Sequence, residues 1–402
     1  MKIGERISVK IDDVAFGGDG VARISDFVLF VPFAVDADEV EIEISDLRKR
    51  YGKGRIVRIL KPSPYRVAPP CPYYGRCGGC ALQHITYPHQ LELKKRQIEE
   101  ALRRIACISF PPVAPVIPSP QPLGWRGKAE FHLSGGSAKT SCIGLMAARS
   151  NRVIEVSGCL IVDESINRKY STLKTDIKIG SVLMPRERQV IWADEPGEAP
   201  TAVSIGTGKP PDVLRVVAGK KITVPGRGFF QANMFLVERL VGEVVQMASL
   251  TGHETVIDLY GGAGLFSLFL AEKAGRLFCG EGDEEAVRCA RINLNRAGLT
   301  GVKCYHGDAA AILSREFVKP GLKADVIILD PPRDGCGEGV IGTLSALQPQ
   351  RIVYISCNPA TQARDVKLLA SSGYCLEMVQ PLDMFPQTAH IEAVALLTRG
   401  GD

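Results

Sequence analysis

From Phe229 onward the chain alternates short apolar runs with helical segments, and few folds accommodate that alternation. Apolar runs at Thr255–Tyr260, Arg276–Glu281, Val302–Tyr305, Ala324–Asp330 and Arg351–Ser356 predict strands. Helix-length segments between them predict crossovers, and hence a parallel, doubly wound sheet. Tyr374–Gln380 and Ile391–Thr398 read as two more strands with no adequate helix between them, so an antiparallel pair is expected to close the sheet. Open α/β sheets bind ligands at the carboxyl ends of their strands, and the chemistry is expected to gather there.

This segment is less than half of 402 residues, and single cores stop growing near ~250–300 residues, so a multidomain α/β chain is expected. Residues 1–61 read as a small β-barrel. ERISVKIDDVAF, GVARISDFVLFVPF and DEVEIEISDLRKRYGKGRIVRIL alternate apolar and polar residues around Gly17-Gly18-Asp19-Gly20 and Asp36-Ala37-Asp38. Residues 62–228 form a central domain. Its proline-rich connectors, Pro62–Pro72 and Pro111–Pro122, flank a cysteine-rich stretch and a basic helix over Pro88–Ala106 with Leu91, Ile98, Leu102 and Ile105 on one face. From 123 to 225 the pattern is mostly β, and residues 229–402 are the third domain.

Hydrophobic residues at 45% and charged residues at 23% exclude a largely disordered chain. MKIGERISVK holds no signal-peptide run, and the most apolar stretch, Val256–Ala271, is broken by Asp258 and glycines. A cytoplasmic monomer without membrane contact is expected. The net charge of +5 says little by itself. Its distribution says more: Arg48, Lys49, Arg50, Lys53, Arg55, Arg58 and Lys61 form a stretch without an acid, interleaved with Tyr51, Gly52 and Gly54. A solvated strand edge would explain the charge alone, whereas the aromatic and glycines suit phosphates and a stacked base.

Asp258-Leu259-Tyr260-Gly261-Gly262-Ala263-Gly264 ends the first strand of the sheet and opens a helix, where glycines let a ligand approach the backbone. A dinucleotide fingerprint would place Gly at 267, where Ser267 stands. Glu281, at the end of the second strand, is placed to accept ribose hydroxyls, and Asp308, after the third, to meet an adenine edge. A nucleoside cofactor without a pyrophosphate, S-adenosylmethionine, fits better than NAD.

Cys357 follows the fifth strand and precedes Asn358-Pro359, an N-cap and first helical residue. A helix N-terminus is expected to stabilise its thiolate and make it a nucleophile. Asp330-Pro331-Pro332-Arg333 ends the fourth strand with its carboxylate held outward, able to accept from a methionine ammonium or a base. Glu392, at the start of the last strand, could act as general base, and His390 shares its face on pattern alone.

Cys71, Cys77 and Cys80 are spaced C-x5-C-x2-C, with Cys159 a distant fourth. In a reducing compartment such a set reads as a metal site, and four thiolates suit either zinc or an iron–sulfur cluster. Cys107, Cys142, Cys279, Cys289, Cys304, Cys336 and Cys375 are assigned to packing.

SCNP, DPPR, FPQTAHIE and FFQAN together resemble the RNA uracil-5-methyltransferase family, over essentially the whole chain. The resemblance implies a TRAM domain, an oligonucleotide-binding-like barrel, at residues 1–61, and a Rossmann-like S-adenosylmethionine-dependent methyltransferase domain at the C-terminus. It implies Cys357 as nucleophile, Glu392 as base, and cofactor contacts at Gln231, Tyr260, Glu281 and Asp330, with Asp308 a further candidate. Leu265 departs from the family pattern, which often has Asn there. CPYYGRCGGCALQH resembles the family's cluster segment, which implies a 4Fe-4S cluster on Cys71, Cys77, Cys80 and Cys159. Barrel and cluster together point to 23S rRNA as partner, with a transfer-RNA enzyme or a noncatalytic iron–sulfur RNA-binding factor as alternatives.

Overall fold

A computed structural model describes residues 1–134, 142–178, 188–195, 202–205 and 210–400. The C-terminal sheet has seven strands: β1 (Thr255–Leu259), β2 (Arg276–Glu281), β3 (Lys303–His306), β4 (Val326–Leu329), β5 (Arg351–Ser356), β6 (Tyr374–Leu382) and β7 (Glu392–Arg399). Their spatial order is β3-β2-β1-β4-β5-β7-β6, parallel except for β7, which runs antiparallel to both neighbours. The absence of a helix between the last two runs therefore predicts the closure correctly.

Alternate residues of these strands face opposite layers, which is why the runs are apolar throughout. Val256, Leu277, Val326, Ile328 and Val353 join one core with helix Val237–Ala248. Ile257, Leu259, Ile327, Leu329 and Tyr354 join another with helices Gly337–Leu347 and Pro359–Ala370. The same second core takes in Ile98 and Leu102, so a helix from the middle of the chain covers part of the sheet.

That helix spans Tyr87–Arg104, with Pro88 in its first turn. Its buried face differs from the apolar stripe expected: His89, Gln90, Leu93, Lys94, Ile98 and Leu102 are buried, while Leu91 is half-buried. Lys94 is entirely enclosed because its ammonium donates to Asp383 Oδ1 at 2.6 Å and to the Phe385 carbonyl at 3.1 Å. His89 meets Asp36 of the barrel at 2.8 Å and stacks on Tyr65, centroids 3.6 Å apart. The connector at 111–122 lies along the outer edge of β6, with bridges Val113↔Val379 and Ile117↔Leu382, an edge position that tolerates its prolines.

The N-terminal domain is a six-stranded barrel-like sheet ending with Tyr51–Lys61. Its basic strand does not stand free of acids. Strand Glu39–Leu47 pairs with it in antiparallel register and sets Glu43 3.2 Å from Arg55, Glu41 3.9 Å from Arg58 and Glu39 3.8 Å from Lys61. Arg48 meets Asp46 at 3.2 Å, whereas Lys49, Arg50 and Lys53 make no ion pair among the described residues.

In the central domain, strands Lys128–Ser134, Cys142–Met146, Val153–Ile154, Arg188–Trp192 and Ala202–Ile205 form one sheet. A hairpin follows at Val213–Val217 and Lys220–Val224. The mostly-β expectation missed helix Glu164–Lys178, which packs Ile166 and Tyr170 onto that sheet and starts where Asp163 Oδ1 accepts from the Ser165 amide at 2.8 Å. The same expectation at 135–141, 179–187, 196–201 and 206–209 lies outside the described residues. Among the described residues no helix is long and apolar enough to cross a membrane.

The packing assignment of the remaining cysteines needs correcting at two positions. Cys279, Cys289 and Cys336 are buried, but Cys107 and Cys375 are exposed. Cys375 lies on the edge strand β6, and Cys107 is in a left-handed turn, φ 61°, past the helix end.

Candidate active site

Strand register assembles the candidate residues along one edge. Leu259 pairs with both Gly280 and Leu329, so Tyr260, Glu281 and Asp330 stand side by side just past the paired strands. Ser356 pairs with Ala393, which sets Cys357 opposite Glu392 across antiparallel strands. Gln231 reaches in from the segment before helix Val237–Ala248, its amide 3.4 Å from Asp330 Oδ2. Its own carbonyl oxygen is buried without a hydrogen-bond partner, an acceptor open to a ligand.

The turn after β1 is tightly built. Tyr260 takes φ 61°, and a side chain at Gly261 would lie 2.6 Å from the Cys279 sulfur. Glu281 accepts from the Gly262 amide at 2.9 Å and from the Asp283 amide at 2.8 Å, so the ribose-type acid is already oriented. Asp308 is exposed and caps helix Ala309–Leu313, its Oδ1 accepting from the Ala311 amide at 2.9 Å. Leu265 is buried in the core and opens helix Leu265–Leu270.

Cys357 sits as expected before Asn358, whose side chain accepts from the Ala360 amide at 3.1 Å. The expected easing of its ionisation is not what results. Burial, and then the neighbouring Glu392 carboxyl, push the thiol up to about 11. The positive charge of the nearby Arg333 guanidinium pulls the other way. Arg333 is the residue that sequence reasoning passed over, although it closes the DPPR run. Its carbonyl accepts from Asn358 Nδ2 at 3.1 Å and Thr361 Oγ1 at 3.0 Å, so the helix start holds it beside Cys357.

Glu392 is 4% exposed, and burial pushes its carboxyl well up, with Asp330 adding to the rise and Arg333 opposing it. Burial with the charges of Asp258 and Glu281 lifts Asp330 to about 7. His390 is pushed down to about 4 by burial and by the cations Arg333, Lys94 and Arg126, and Arg333 Nη2 lies 3.2 Å from its Nε2.

Away from these residues, a cavity of about 560 Å³ is lined by Cys71, Cys77, Cys80 and Cys159, all free thiols. Donors already face three of them: the Gly79 amide toward Cys77, the Gln83 side chain toward Cys80, and the Ile161 and Val162 amides toward Cys159. Burial keeps these thiols hard to ionise, Cys80 up to about 12. Arg126 lines the same cavity and makes no ion pair among the described residues. No three His, Cys, Asp or Glu side chains converge on a single metal-ion position among the described residues.

Residues 212–400 match the tRNA (Uracil-5-)-methyltransferase family, and residues 1–57 match the TRAM domain. An uncharacterized RNA methyltransferase of Caldanaerobacter subterraneus subsp. tengcongensis is 35% identical, covering 99% of both chains. The chain belongs to the RNA uracil-5-methyltransferase family. A relative from Halalkalibacterium halodurans, named likewise, is 33% identical over 97% of this chain and 96% of its own. The tRNA (uracil-54, C5)-methyltransferase of Pyrococcus abyssi, solved with S-adenosyl-L-homocysteine, shares the fold. Its TM-score is 0.75 at 23% identity, covering 98% of this chain and 100% of that one. This RNA uracil-5-methyltransferase thus joins an RNA-binding TRAM domain to an S-adenosylmethionine-dependent Rossmann-like domain.

Proposed function

We propose that the enzyme methylates carbon 5 of a uridine in 23S rRNA, with Cys357 as nucleophile and Glu392 as general base. The observation that carries this reading is the antiparallel register that sets Cys357 opposite Glu392. Gln231, Tyr260, Glu281 and Asp330, with Asp308 a further candidate, would hold S-adenosylmethionine, which would supply an electrophilic methyl group and leave as S-adenosylhomocysteine. Carbon 5 of uracil is a weak nucleophile. Addition of the Cys357 thiolate at carbon 6 makes carbon 5 an enolate carbon that can take the methyl group. Glu392 then removes the carbon 5 proton, and elimination of the sulfur restores the ring and frees Cys357. The target uridine leaves its stack to reach this pocket.

Two properties favour Glu392 over His390 as base. A carboxylate whose proton affinity is raised by burial is the stronger base once ionised. His390 has a low proton affinity, and its Nε2 faces the Arg333 donor.

We also assign the cysteine-lined cavity to a 4Fe-4S cluster on Cys71, Cys77, Cys80 and Cys159. A single zinc ion would draw four sulfurs to about 2.3 Å of one point, whereas a cluster gives each iron its own thiolate. The four thiols lining one cavity, with Arg126 beside them and in no ion pair among the described residues, fit an anionic group.

A transfer-RNA uridine is the second reading. The Pyrococcus abyssi tRNA enzyme overlays 98% of this chain, so the domain architecture does not by itself select ribosomal RNA. Mapping 5-methyluridine in 23S rRNA and tRNA from a strain lacking the gene decides between them. Within the reaction, Cys357→Ser should form no adduct, Glu392→Gln should leave methylated RNA covalently attached, and His390→Ala should turn over without trapping. Trapping by His390→Ala with normal turnover by Glu392→Gln would reverse the assignment of the base. Iron near four per chain is expected, and stoichiometric zinc without iron would overturn the cluster.

A further inference from the structure

The loop 383–391 joins β6 to β7 and delivers Glu392 to the site, yet its anchors lie some 300 residues earlier in the chain. Gln387 is 8% exposed with φ 67°, a left-handed conformation that a non-glycine residue keeps only where its surroundings impose it. Its carbonyl accepts two amides, Ala81 at 3.0 Å and Leu82 at 2.9 Å. Those are the residues immediately after Cys80.

The Gln387 amide donates to Gln90 Oε1 at 3.2 Å, and its side-chain oxygen accepts from Gln90 Nε2 at 3.0 Å. Gln90 is itself wholly buried, and its Nε2 also donates to the carbonyls of Leu82 at 3.0 Å and Ile85 at 2.8 Å. One amide side chain therefore fixes the cysteine segment and the loop together. On the far side, Gln83 of that segment faces Cys80 and accepts from the Cys71 amide at 3.2 Å. On the near side, Thr388 Oγ1 accepts from the His390 amide at 3.2 Å, which carries the constraint to the start of β7.

We propose that Gln387 is a positioning residue that sets the Glu392 carboxyl by tying its loop to the Cys80–Leu82 segment, so that order in the cysteine-lined cavity reaches the catalytic base. The inference rests on the assignment of Cys357 and Glu392 above. It extends it by giving the cavity a mechanical role in one step, removal of the carbon 5 proton. A misplacement near 1 Å remote from the reacting atoms can cost about 100-fold in rate, and the carbon 5 proton is abstracted only by a correctly aimed carboxylate.

Gln387→Met keeps length and the main-chain bonds to Ala81 and Leu82 but removes the side-chain oxygen that accepts from Gln90; Gln387→Glu keeps an accepting oxygen there. Gln387→Met should lower kcat about 10- to 100-fold at unchanged KM for S-adenosylmethionine and accumulate a denaturation-resistant RNA adduct through Cys357. Gln387→Glu should restore turnover and abolish the adduct. Loss of kcat without adduct, or wild-type turnover, in Gln387→Met overturns the proposal.

Hydrogen exchange gives a readout independent of catalysis. In the full-length wild-type protein, stripping iron with a chelator should speed exchange of amides in 387–391 together with those in 77–82. Faster exchange in 77–82 alone, or no change in either, overturns the coupling. If Glu392→Gln itself traps nothing, the catalytic reading has failed. If Glu392→Gln traps and Gln387→Met does not, only this proposal has failed.

Discussion

Arg333→Met should slow the chemistry of Cys357 before any RNA is present. With the thiol near 11, only about one molecule in 3,000 carries a thiolate at pH 7.5, so each contribution to ionisation appears directly in the rate. Arg333 contributes a positive charge, against burial and Glu392. A hydrogen bond to a charged group, worth about 1.5–3 kcal/mol, is the upper bound for such a neighbour, and the guanidinium is exposed, so screening reduces its share toward ~1 kcal/mol. At 1.4 kcal/mol per factor of ten, the thiolate population should fall about 5- to 30-fold. The assay is iodoacetamide alkylation of Cys357 between pH 7 and 10, followed by peptide mass spectrometry, with buried Cys289 as internal control. The variant should alkylate about tenfold more slowly at pH 8 with an unchanged slope against pH. An unchanged rate at Cys357 would show that Arg333 does not sustain its ionisation, and a faster rate would reverse the electrostatic argument.

Asp330, near 7 in the free protein, must yield its proton to meet a cationic cofactor, so S-adenosylmethionine affinity should rise up to tenfold per pH unit below 7 and level off above it. Calorimetric titrations from pH 5.5 to 8.5 test this, and a flat profile rejects it. Lys94→Met strands the buried Asp383 carboxylate and should cost about 3–5 kcal/mol, or roughly 6–20 °C in Tm. Adding Asp383→Leu should recover most of it; a single variant within 2 °C of wild type by calorimetry contradicts the buried-pair reading. Neutralising Lys49, Arg50 and Lys53 should reduce the salt slope of RNA binding by about 2–3, because these cations make no ion pair among the described residues. Fluorescence anisotropy should show a smaller change for Arg55 and Arg58, which already face Glu43 and Glu41.

The sheet was legible because its signal is one of spacing: β1 to β5 differ from the expected strands only at their ends, and the missing helix before β7 announced its direction. Cys357 was legible for a local reason, the Asn358-Pro359 cap written beside it. What escaped was environment. The cap suggested an easily ionised thiol, but burial and Glu392 outweigh the helix terminus, and neither is visible in a local sequence. The acids facing the basic strand were invisible until antiparallel pairing set Glu39, Glu41 and Glu43 across from it. The expected stripe of Leu91, Ile98, Leu102 and Ile105 did not include Lys94 and Gln90, which are buried. Their partners, Asp383 and Gln387, lie too far along the chain for any periodicity to connect them.

That separation has a consequence during synthesis. Lys94 and Asp383 are 289 residues apart, and a ribosome adding about 5–20 residues per second takes roughly 15–60 s to cross that interval. For all of that time the barrel and the first helix exist while Lys94, Gln90 and the amides of Ala81 and Leu82 still await their counterparts. The helix therefore cannot complete its docking until residues 383–387 have left the exit tunnel. The β6–β7 hairpin, once it emerges, brings the groups that lock the helix and the cysteine segment in place.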